Sequence, residues 1–373
     1  MRNTKQHSGF RQLILKSDGA LSVLVVLLGF LCGTLLILLV GRNPAGMYKA
    51  LLQVLTGYNV DRNRFYVRYI GEWLATSMPF ILCGLAMAFA ARSGLFNIGG
   101  EGQYVVGLTV AQFIAILGPQ IPVFHWVIAL ILAMTGGALW GGIVGWLKAK
   151  FEVSEVVATI MLNYIALYLS RVLVMSLPGT NTYRTPDFPA TALLRSSFFE
   201  QITKGSLLNY GIFFVIVAVV MYWFIMEKTR LGFGLRATGL NKDAARASGI
   251  PVIRSIVLSM AIAGAFAGLA GGIVSLGAFK YGRVLSGNDG YGFAGIAVAL
   301  VGNNTALGTL LAGLLFGMLS SAQPLMESNS IPKEITFIIQ GLVVVFIAIR
   351  SGFRMFISYS MKNKNAKESA SDE

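Results

Sequence analysis

Three acidic residues lie within or beside apolar runs of this sequence, where a charged side chain is costly. Glu101 and Asp289 lie in glycine-rich segments, and Glu155 stands at the start of an apolar run. A carboxylate at membrane depth has to face a partner, a cavity or the interface. All three are therefore candidates for lining a polar passage, and Glu101 or Glu155 could also take up a proton there.

The segment around Glu101 is polar and rich in glycine. It places Asn97, Glu101 and Gln103 between two apolar runs, where glycines give flexible φ angles and accessible backbone N–H groups. The segment can line or gate a passage. It can equally form a structural turn in which Glu101 caps a helix and pairs with Arg92. The residue pattern leaves both interpretations open.

A polar stripe follows on the next predicted helix. Glu155, Thr159 and Asn163 are spaced i, i+4 and i+8, which places them on one helix face, and Tyr164 lies beside that face. In a membrane helix such a stripe turns inward. Asn163 can then hydrogen-bond a polar solute or join two helices, and the spacing fits both roles.

A basic loop contains the signals of one short helix. Asn241 is a good N-cap, and Gly249 followed by Pro251 ends the helix. Ala244 and Ala245 leave its surface smooth, so it suits insertion into a groove on another protein. The alternative is a solvated amphipathic loop.

The composition is that of a membrane protein. Of 373 residues, 55% are hydrophobic and 12% are charged, about half the roughly 25% of soluble domains. The net charge of +14 comes from basic residues beside apolar runs, so we expect no nucleic-acid partner. Two cysteines and two histidines support neither a disulfide framework nor a metal site.

The apolar runs predict an all-α polytopic membrane protein with about ten spanning helices. The eighth run is short for a full crossing. The ten runs are Ala20–Val40, Trp73–Ala91, Gln103–Leu117, Phe124–Leu147, Val156–Leu177, Gly211–Met226, Ile253–Phe279, Tyr291–Gly302, Ala306–Leu325 and Ile335–Ile349. The predicted domains are a cytoplasmic segment 1–19, a transmembrane domain 20–350 with a basic loop at about 228–253, and a polar cytoplasmic tail 351–373.

Charge distribution predicts the orientation. The first apolar run is too long for a signal peptide and lacks a cleavage site, so it is read as an uncleaved helix. Basic residues cluster in segments that would all be cytoplasmic if both termini were inside. One basic cluster, between Arg42 and Arg68, disagrees. The prediction is a multi-pass membrane protein with both termini in the cytoplasm.

A weak internal repeat relates helices 2–5 to helices 7–10. Each copy has a glycine-rich loop with an acid, Glu101 or Asp289, and then a helix with spaced glycines. The two copies start five spans apart. Because five is an odd number, the copies have opposite orientations in the membrane. Inverted repeats of this kind occur in transporters, with the substrate route at the interface between the two repeats. Chance similarity of glycine-rich membrane segments is the alternative.

These motifs resemble the permease subunits of binding-protein-dependent ABC importers, in the group of ribose-type and branched-chain amino-acid permeases. Within that group the sequence is similar to nucleoside permeases that work with Bmp-type lipoproteins. The resemblance lies in GLFNIGGEGQ at 94–103, SEVVATIMLNY at 154–164, GLNKDAARASGI at 239–250 and DGYGFAGIAVAL at 289–300.

The resemblance implies a type II importer fold in a bacterial cell (inner or plasma) membrane. It also implies that separate subunits bind the substrate, form the route and hydrolyse ATP. Partners would be a cytoplasmic ABC ATPase, a second permease subunit in a heterodimer and an extracellular substrate-binding lipoprotein. ATP and Mg²⁺ would bind to the ATPase, and no cofactor to this chain, which has no Gly-x-x-x-x-Gly-Lys-Ser/Thr loop and is not expected to be an enzyme. The coupling helix would include Gly239, Asn241, Ala244, Ala245 and Gly249.

The expected function is uptake of nucleosides along a route through the membrane. A nucleoside needs hydrogen bonds for its ribose and aromatic faces for its base. The expected route residues are Asn97, Glu101, Gln103, Glu155, Thr159, Asn163, Tyr164, Asp289 and Phe293. A ribose-type sugar importer and an ion-coupled secondary carrier remain as alternatives.

Overall fold

The structure is a computed structural model, and it describes residues 18–349. The described chain forms fourteen α-helices. They are α1 Asp18–Leu39, α2 Ala45–Thr56, α3 Val67–Arg92, α4 Gly100–Leu117, α5 Phe124–Phe151, α6 Glu155–Met175, α7 Ser197–Ile202, α8 Gly211–Lys228, α9 Arg230–Leu240, α10 Lys242–Ala247, α11 Val252–Ile273, α12 Tyr291–Val301, α13 Ala306–Ser328 and α14 Glu334–Ala348.

Short strands form two small sheets in the connecting segments. Strands β1 (Tyr58–Asn59) and β2 (Arg64–Phe65) pair antiparallel as a hairpin. Strands β3 (Arg184–Asp187) and β4 (Tyr281–Arg283) also pair antiparallel, although about a hundred residues separate them. The second sheet ties the segment after α6 to the segment after α11.

The helices confirm an all-α polytopic membrane protein. Eight of them are long and apolar enough to cross a membrane: α1, α3, α4, α5, α6, α8, α11 with its π-helical extension, and α13. Two shorter apolar helices, α12 and α14, complete the ten apolar helices that correspond to the predicted runs. Helix α12 has 11 residues, so it rises about 16 Å, roughly half of the hydrocarbon thickness.

Spaced glycines bring two long helices into backbone contact. A Cβ on Gly137 would lie 2.3 Å from the Gly264 carbonyl oxygen, and one on Gly264 would lie 2.1 Å from the Gly137 oxygen. A Cβ on Gly141 would likewise meet the Met260 oxygen at 2.3 Å. Helices α5 and α11 therefore pack at backbone distance, with no side chains between them at these positions.

The chain divides into two compact units. The larger unit is 49–322 and holds the buried core and every residue of the candidate site. In the other unit, whose described residues are 18–48 and 323–349, α1 packs on α14 through Gly29 and Gly33, which lie against Val343 and Ile339.

Several features lie outside the predictions or outside the described residues. Helices α2 and α9 and the two small sheets were not predicted. The predicted tail 351–373 and all but the last two residues of the predicted segment 1–19 lie outside the described residues. The orientation in the membrane and the division 1–19, 20–350 and 351–373 therefore stay predictions.

Candidate functional site

Two glycine-rich loops meet at the Glu101 carboxylate. Glu101 is fully buried, and its Oε1 and Oε2 accept hydrogen bonds from the backbone N–H groups of Gly290 at 2.8 Å and Gly292 at 2.7 Å. Gly290 has a φ of +84°, which glycine adopts without strain. The carboxylate thus caps the N-terminus of α12, where unpaired N–H groups and the helix dipole favour a negative charge.

The hydrogen bonds of Glu101 confirm one part of the structural-turn interpretation and contradict another. Glu101 caps a helix, but the helix belongs to the second half of the chain. The pairing of Glu101 with Arg92, which the structural-turn interpretation included, is wrong, because Arg92 Nη2 donates to Glu227 Oε1 at 2.7 Å. Glu227 also pairs with Arg236, so one carboxylate joins two basic side chains of different helices.

The second acidic residue, Asp289, lies in a cluster with Tyr104 and Arg283. Tyr104 Oη donates to Asp289 Oδ2 at 2.7 Å. Arg283 Nη1 donates to Asp289 Oδ1 at 3.0 Å, and Arg283 Nη2 donates to Oδ2. The guanidinium also lies over the Phe279 ring, 4.4 Å from its centroid.

Burial lowers the pKa of Arg283, but its hydrogen bonds and attraction to Asp289 outweigh burial and raise the pKa above its usual value. The guanidinium therefore stays charged.

Two cavities share this charged pair. One has a volume of about 290 Å³ and is lined by residues of α3 and α11 as well as by Arg283, Asp289 and Tyr291. The other has a volume of about 310 Å³ and lies against Tyr183, Arg184 and the segment after β4, again with Arg283 and Asp289. The Arg283–Asp289 pair therefore forms a wall common to both cavities.

The buried amides hold the loop before α4. Asn97 and Gln103 exchange two hydrogen bonds, of 3.0 and 3.1 Å. Asn163 Oδ1 accepts from the Gly102 N–H at 2.8 Å, and Asn163 Nδ2 donates to the Ile98 carbonyl at 3.0 Å. The three amide side chains are almost fully buried. These hydrogen bonds hold the loop that positions Glu101.

The other predicted route residues are dispersed. The Thr159 hydroxyl donates to the Glu155 carbonyl at 2.7 Å, and the Glu155 carboxylate pairs with Lys148 at 2.8 Å. Tyr164 and Phe293 expose 53% and 41% of their surface, so neither faces the buried cluster fully. Of the predicted residues, the structure brings together Asn97, Glu101, Gln103, Asn163 and Asp289, with Thr159 at the edge of that group against Gly99.

The predicted short helix forms as α10. Asn241 Oδ1 accepts from the N–H groups of Asp243 and Ala244, both at 3.0 Å. Gly249 follows the helix with a φ of +79°. The two alanines differ, however: Ala244 is exposed, whereas Ala245 is 4% exposed and packs inward. Just before the helix, Leu240 is 89% exposed. The smooth surface therefore consists of Ala244 and its exposed neighbours.

A close backbone contact joins this surface to the loop that leads to Glu101. A Cβ on Gly239 would lie 2.6 Å from the Ser93 carbonyl carbon, and one on Gly94 would lie 2.7 Å from Gly239 Cα. Only glycines allow the two segments to touch in this way. Only six residues, in the loop before α4 and its first helical turn, lie between Gly94 and Glu101. The contact therefore connects the end of α9, which leads directly into α10, to the residue that caps α12.

Sequence reasoning missed Tyr104, Arg283 and Tyr291. One signal was present: Arg283 and Asp289 are opposite charges six residues apart between two apolar runs, and isolated charges there need partners. Nothing in the sequence indicates that Tyr104 reaches Asp289 across 185 positions. Among the described residues no group of three or more His, Cys, Asp and Glu side chains could hold a metal ion.

Comparison with known proteins shows the family of this chain. The sequence matches the family described as "Branched-chain amino acid transport system / permease component" over residues 69–348. It is 41% identical over 345 residues to the guanosine ABC transporter permease protein NupP of Bacillus subtilis, covering 92% of this chain and 97% of that protein.

Two further relatives cover most of the chain. The nucleoside ABC transporter permease protein NupB of Lactococcus lactis is 37% identical over 335 residues, 88% of this chain and 90% of that protein. The glucose ABC transporter permease protein TsgB13 of Haloferax volcanii is 32% identical over 315 residues, 80% of this chain and 82% of that protein. No solved structure matches the chain significantly. With ten apolar helices within residues 18–349 and this family match over most of its length, the chain is a multi-pass membrane protein that belongs to the branched-chain amino acid transport permease family.

Proposed function

We propose that this chain is the permease subunit of an ATP-driven importer that takes up nucleosides. The observation that carries the substrate class is its likeness to two permeases, one named for guanosine and one for nucleosides, over about nine tenths of its length. The chain would form half of the route, and ATP hydrolysis with its Mg²⁺ would take place on a separate ATPase.

The geometry around α10 supports coupling to that ATPase. The helix is short, capped at both ends and exposed at Ala244, beside the exposed Leu240. A partner that holds it can move Gly239, which touches Gly94, and so the loop that carries Glu101. ATP can drive transport only if it changes the relative stability of two conformations of the permease. This continuous backbone contact offers a path for that change.

The exposed face of α6 supports a second permease subunit. Val157, Met161, Tyr164, Tyr168 and Val172 are all more than half exposed and recur at helical spacing on one face. Two tyrosine hydroxyls are costly to leave in hydrocarbon. A second permease covering this face would place Tyr164 on a route between the subunits, with Phe293 as a further exposed aromatic. By the resemblance the two subunits would differ, and an extracellular lipoprotein would deliver the substrate.

A sugar importer is the second candidate, because one relative is named as a glucose permease. An ion-coupled carrier is the third. Competition separates the first two: unlabelled guanosine should inhibit uptake of labelled guanosine by the assembled transporter, and excess ribose or glucose should not. Inhibition by the sugars, without uptake of any nucleoside, would favour the sugar importer.

Replacement of Ala244 tests whether ATP hydrolysis is coupled to transport through α10. Ala244→Glu places a long charged side chain on the exposed surface of α10, so uptake should be lost while membrane insertion is unchanged. Ala244→Ser adds one oxygen atom and no charge, and uptake should stay near the wild-type rate. Undiminished uptake by Ala244→Glu would contradict ATP coupling through this helix.

A further inference from the structure

The smaller cavity beside the charged pair has the size of a small-molecule site. Its volume of about 290 Å³ lies at the lower end of the pockets that hold small ligands, about 300 Å³ and above. Apolar side chains, among them Pro79 of α3 and Ile273 of α11, form most of its wall. It therefore has room for one compact molecule with an apolar surface.

Polar groups without partners line the same cavity. Among the described residues, the hydroxyls of Thr76 and Tyr291, which line the cavity, make no hydrogen bond. Arg283 Nε also lacks an acceptor, but its surface is fully buried, so a molecule in the cavity does not reach it. Thr76 and Tyr291 therefore offer two hydroxyls to a bound molecule. The Tyr291 ring packs edge-on against Phe80, with centroids 5.1 Å apart, so its orientation is fixed.

The charges of the cavity cancel. The Arg283 guanidinium is compensated by the Asp289 carboxylate, which also accepts from Tyr104. A phosphate in the cavity would lose its hydration and find no free positive charge, because the only guanidinium in the wall is already paired. An uncharged molecule with hydroxyl groups does not have this desolvation cost of a charge. The wall therefore favours neutral over anionic ligands.

We propose that this cavity, within the single permease subunit, is a binding site for an uncharged nucleoside and that the Arg283–Asp289 pair excludes the phosphorylated form. The ribose hydroxyls would bind to Thr76 and Tyr291, and the base would lie against the apolar wall. The inference rests on the proposed function of nucleoside uptake, but a site between the two subunits would satisfy that function equally well, so the two can fail separately.

Thiol protection in the assembled transporter tests the site. Thr76→Cys is introduced with Cys32→Ser and Cys83→Ala, and its modification by methyl methanethiosulfonate is timed with guanosine or guanosine monophosphate present. At about ten times the half-saturating concentration, guanosine should slow the modification about tenfold. The monophosphate at the same concentration should leave the rate unchanged. Ser197→Cys, exposed at the start of α7 and outside the spanning helices, should be modified at one rate throughout.

Two outcomes would overturn the inference. The first is an unprotected or unreactive Thr76→Cys in a transporter that still imports guanosine, which would leave the proposed function standing and remove the site. The second is a wild-type transporter that imports no nucleoside, which would remove both. Asp289→Asn should free the Arg283 charge, so that the monophosphate begins to protect the thiol; an unchanged preference would contradict the role of the pair.

A milder variant keeps the test valid if these replacements disturb folding. Tyr291→Phe removes one hydroxyl and leaves the ring contacts intact. It should raise the half-saturating guanosine concentration for uptake several-fold, because one hydrogen bond contributes about 0.5–1.5 kcal/mol. Thr135→Val, which removes an exposed hydroxyl from α5 away from the cavity, should leave that concentration unchanged. An unaltered value for Tyr291→Phe would also overturn the site.

Discussion

Glu101 and Gly292 are joined by a hydrogen bond of 2.7 Å between the carboxylate and the backbone N–H, although they are 191 positions apart in the chain. A Cβ on Gly292 would lie 2.1 Å from the Glu101 nitrogen, so the backbones themselves touch. The two glycine-rich acidic motifs that the sequence relates as copies therefore meet in space. At this contact the start of α4 and the start of α12 become one unit.

Gly292→Ala should break this contact. The new methyl group meets backbone atoms that cannot rotate away, and overpacking of this kind costs about 1–3 kcal/mol. We expect a lower melting temperature in detergent and a large loss of uptake. Gly287→Ala is the matched control, because nothing lies within 4 Å of its Cβ. Equal behaviour of the two variants would contradict the contact.

Glu101→Gln should impair transport even though the side chain keeps its shape. The amide has one carbonyl oxygen for two N–H donors, so either Gly290 or Gly292 loses its acceptor and faces another donor. The cost is about 1–3 kcal/mol for the unpaired buried group. Uptake measured beside Glu152→Gln, an exposed glutamate, checks this. Wild-type uptake by Glu101→Gln would show that the cap has no role.

Replacement of Asn163 distinguishes two possible roles of its side chain, which are positioning of the loop before α4 and contact with the solute. Its side chain is already bonded to Gly102 and Ile98, so Asn163→Ala leaves a buried N–H and a buried carbonyl unpaired. We expect a lower melting temperature and a lower maximal rate, with the half-saturating concentration unchanged. Tyr164→Phe, at the exposed neighbour, should leave stability unchanged. A raised half-saturating concentration at normal stability would instead assign Asn163 to the solute.

Gly239→Ala should uncouple α10 from the rest of the permease. Gly239 lies in α9, which leads directly into α10. A Cβ on Gly239 would press on the Ser93 and Gly94 backbone at 2.6 and 2.7 Å, whereas a Cβ on Gly234, also in α9, has its nearest neighbour at 3.5 Å. Uptake should fall strongly in Gly239→Ala and little in Gly234→Ala. If both variants transport normally, motion does not pass through the Gly94–Gly239 contact.

The features predictable from sequence are those that depend on neighbouring residues. The ten apolar runs and the ends of α10 follow from local composition and from caps such as Asn241 and Gly249. Helix α9 was missed because its glycines and its position in a basic loop resemble a connecting segment. Local signals explain why the fold class was clear before the structure.

The candidate site depends instead on pairings across the chain. Glu101 had several suitable partners, and the nearby Arg92 was the obvious one, yet backbone N–H groups of a distant helix bind it. The repeat made Glu101 and Asp289 equivalent but gave no distance between them. Tyr104 joins Asp289 only because α4 and α12 begin side by side, which no spacing in the sequence reveals.

Uptake of labelled guanosine under separate control of ATP and of the proton gradient tests the central claim most directly. Cells that carry this chain with its partner subunits are treated with a protonophore while their ATP is maintained by glycolysis, and in a second sample ATP is depleted. The account predicts that uptake continues with the protonophore and stops when ATP is depleted. Uptake that collapses with the protonophore at unchanged ATP would contradict it and assign the chain to an ion-coupled carrier.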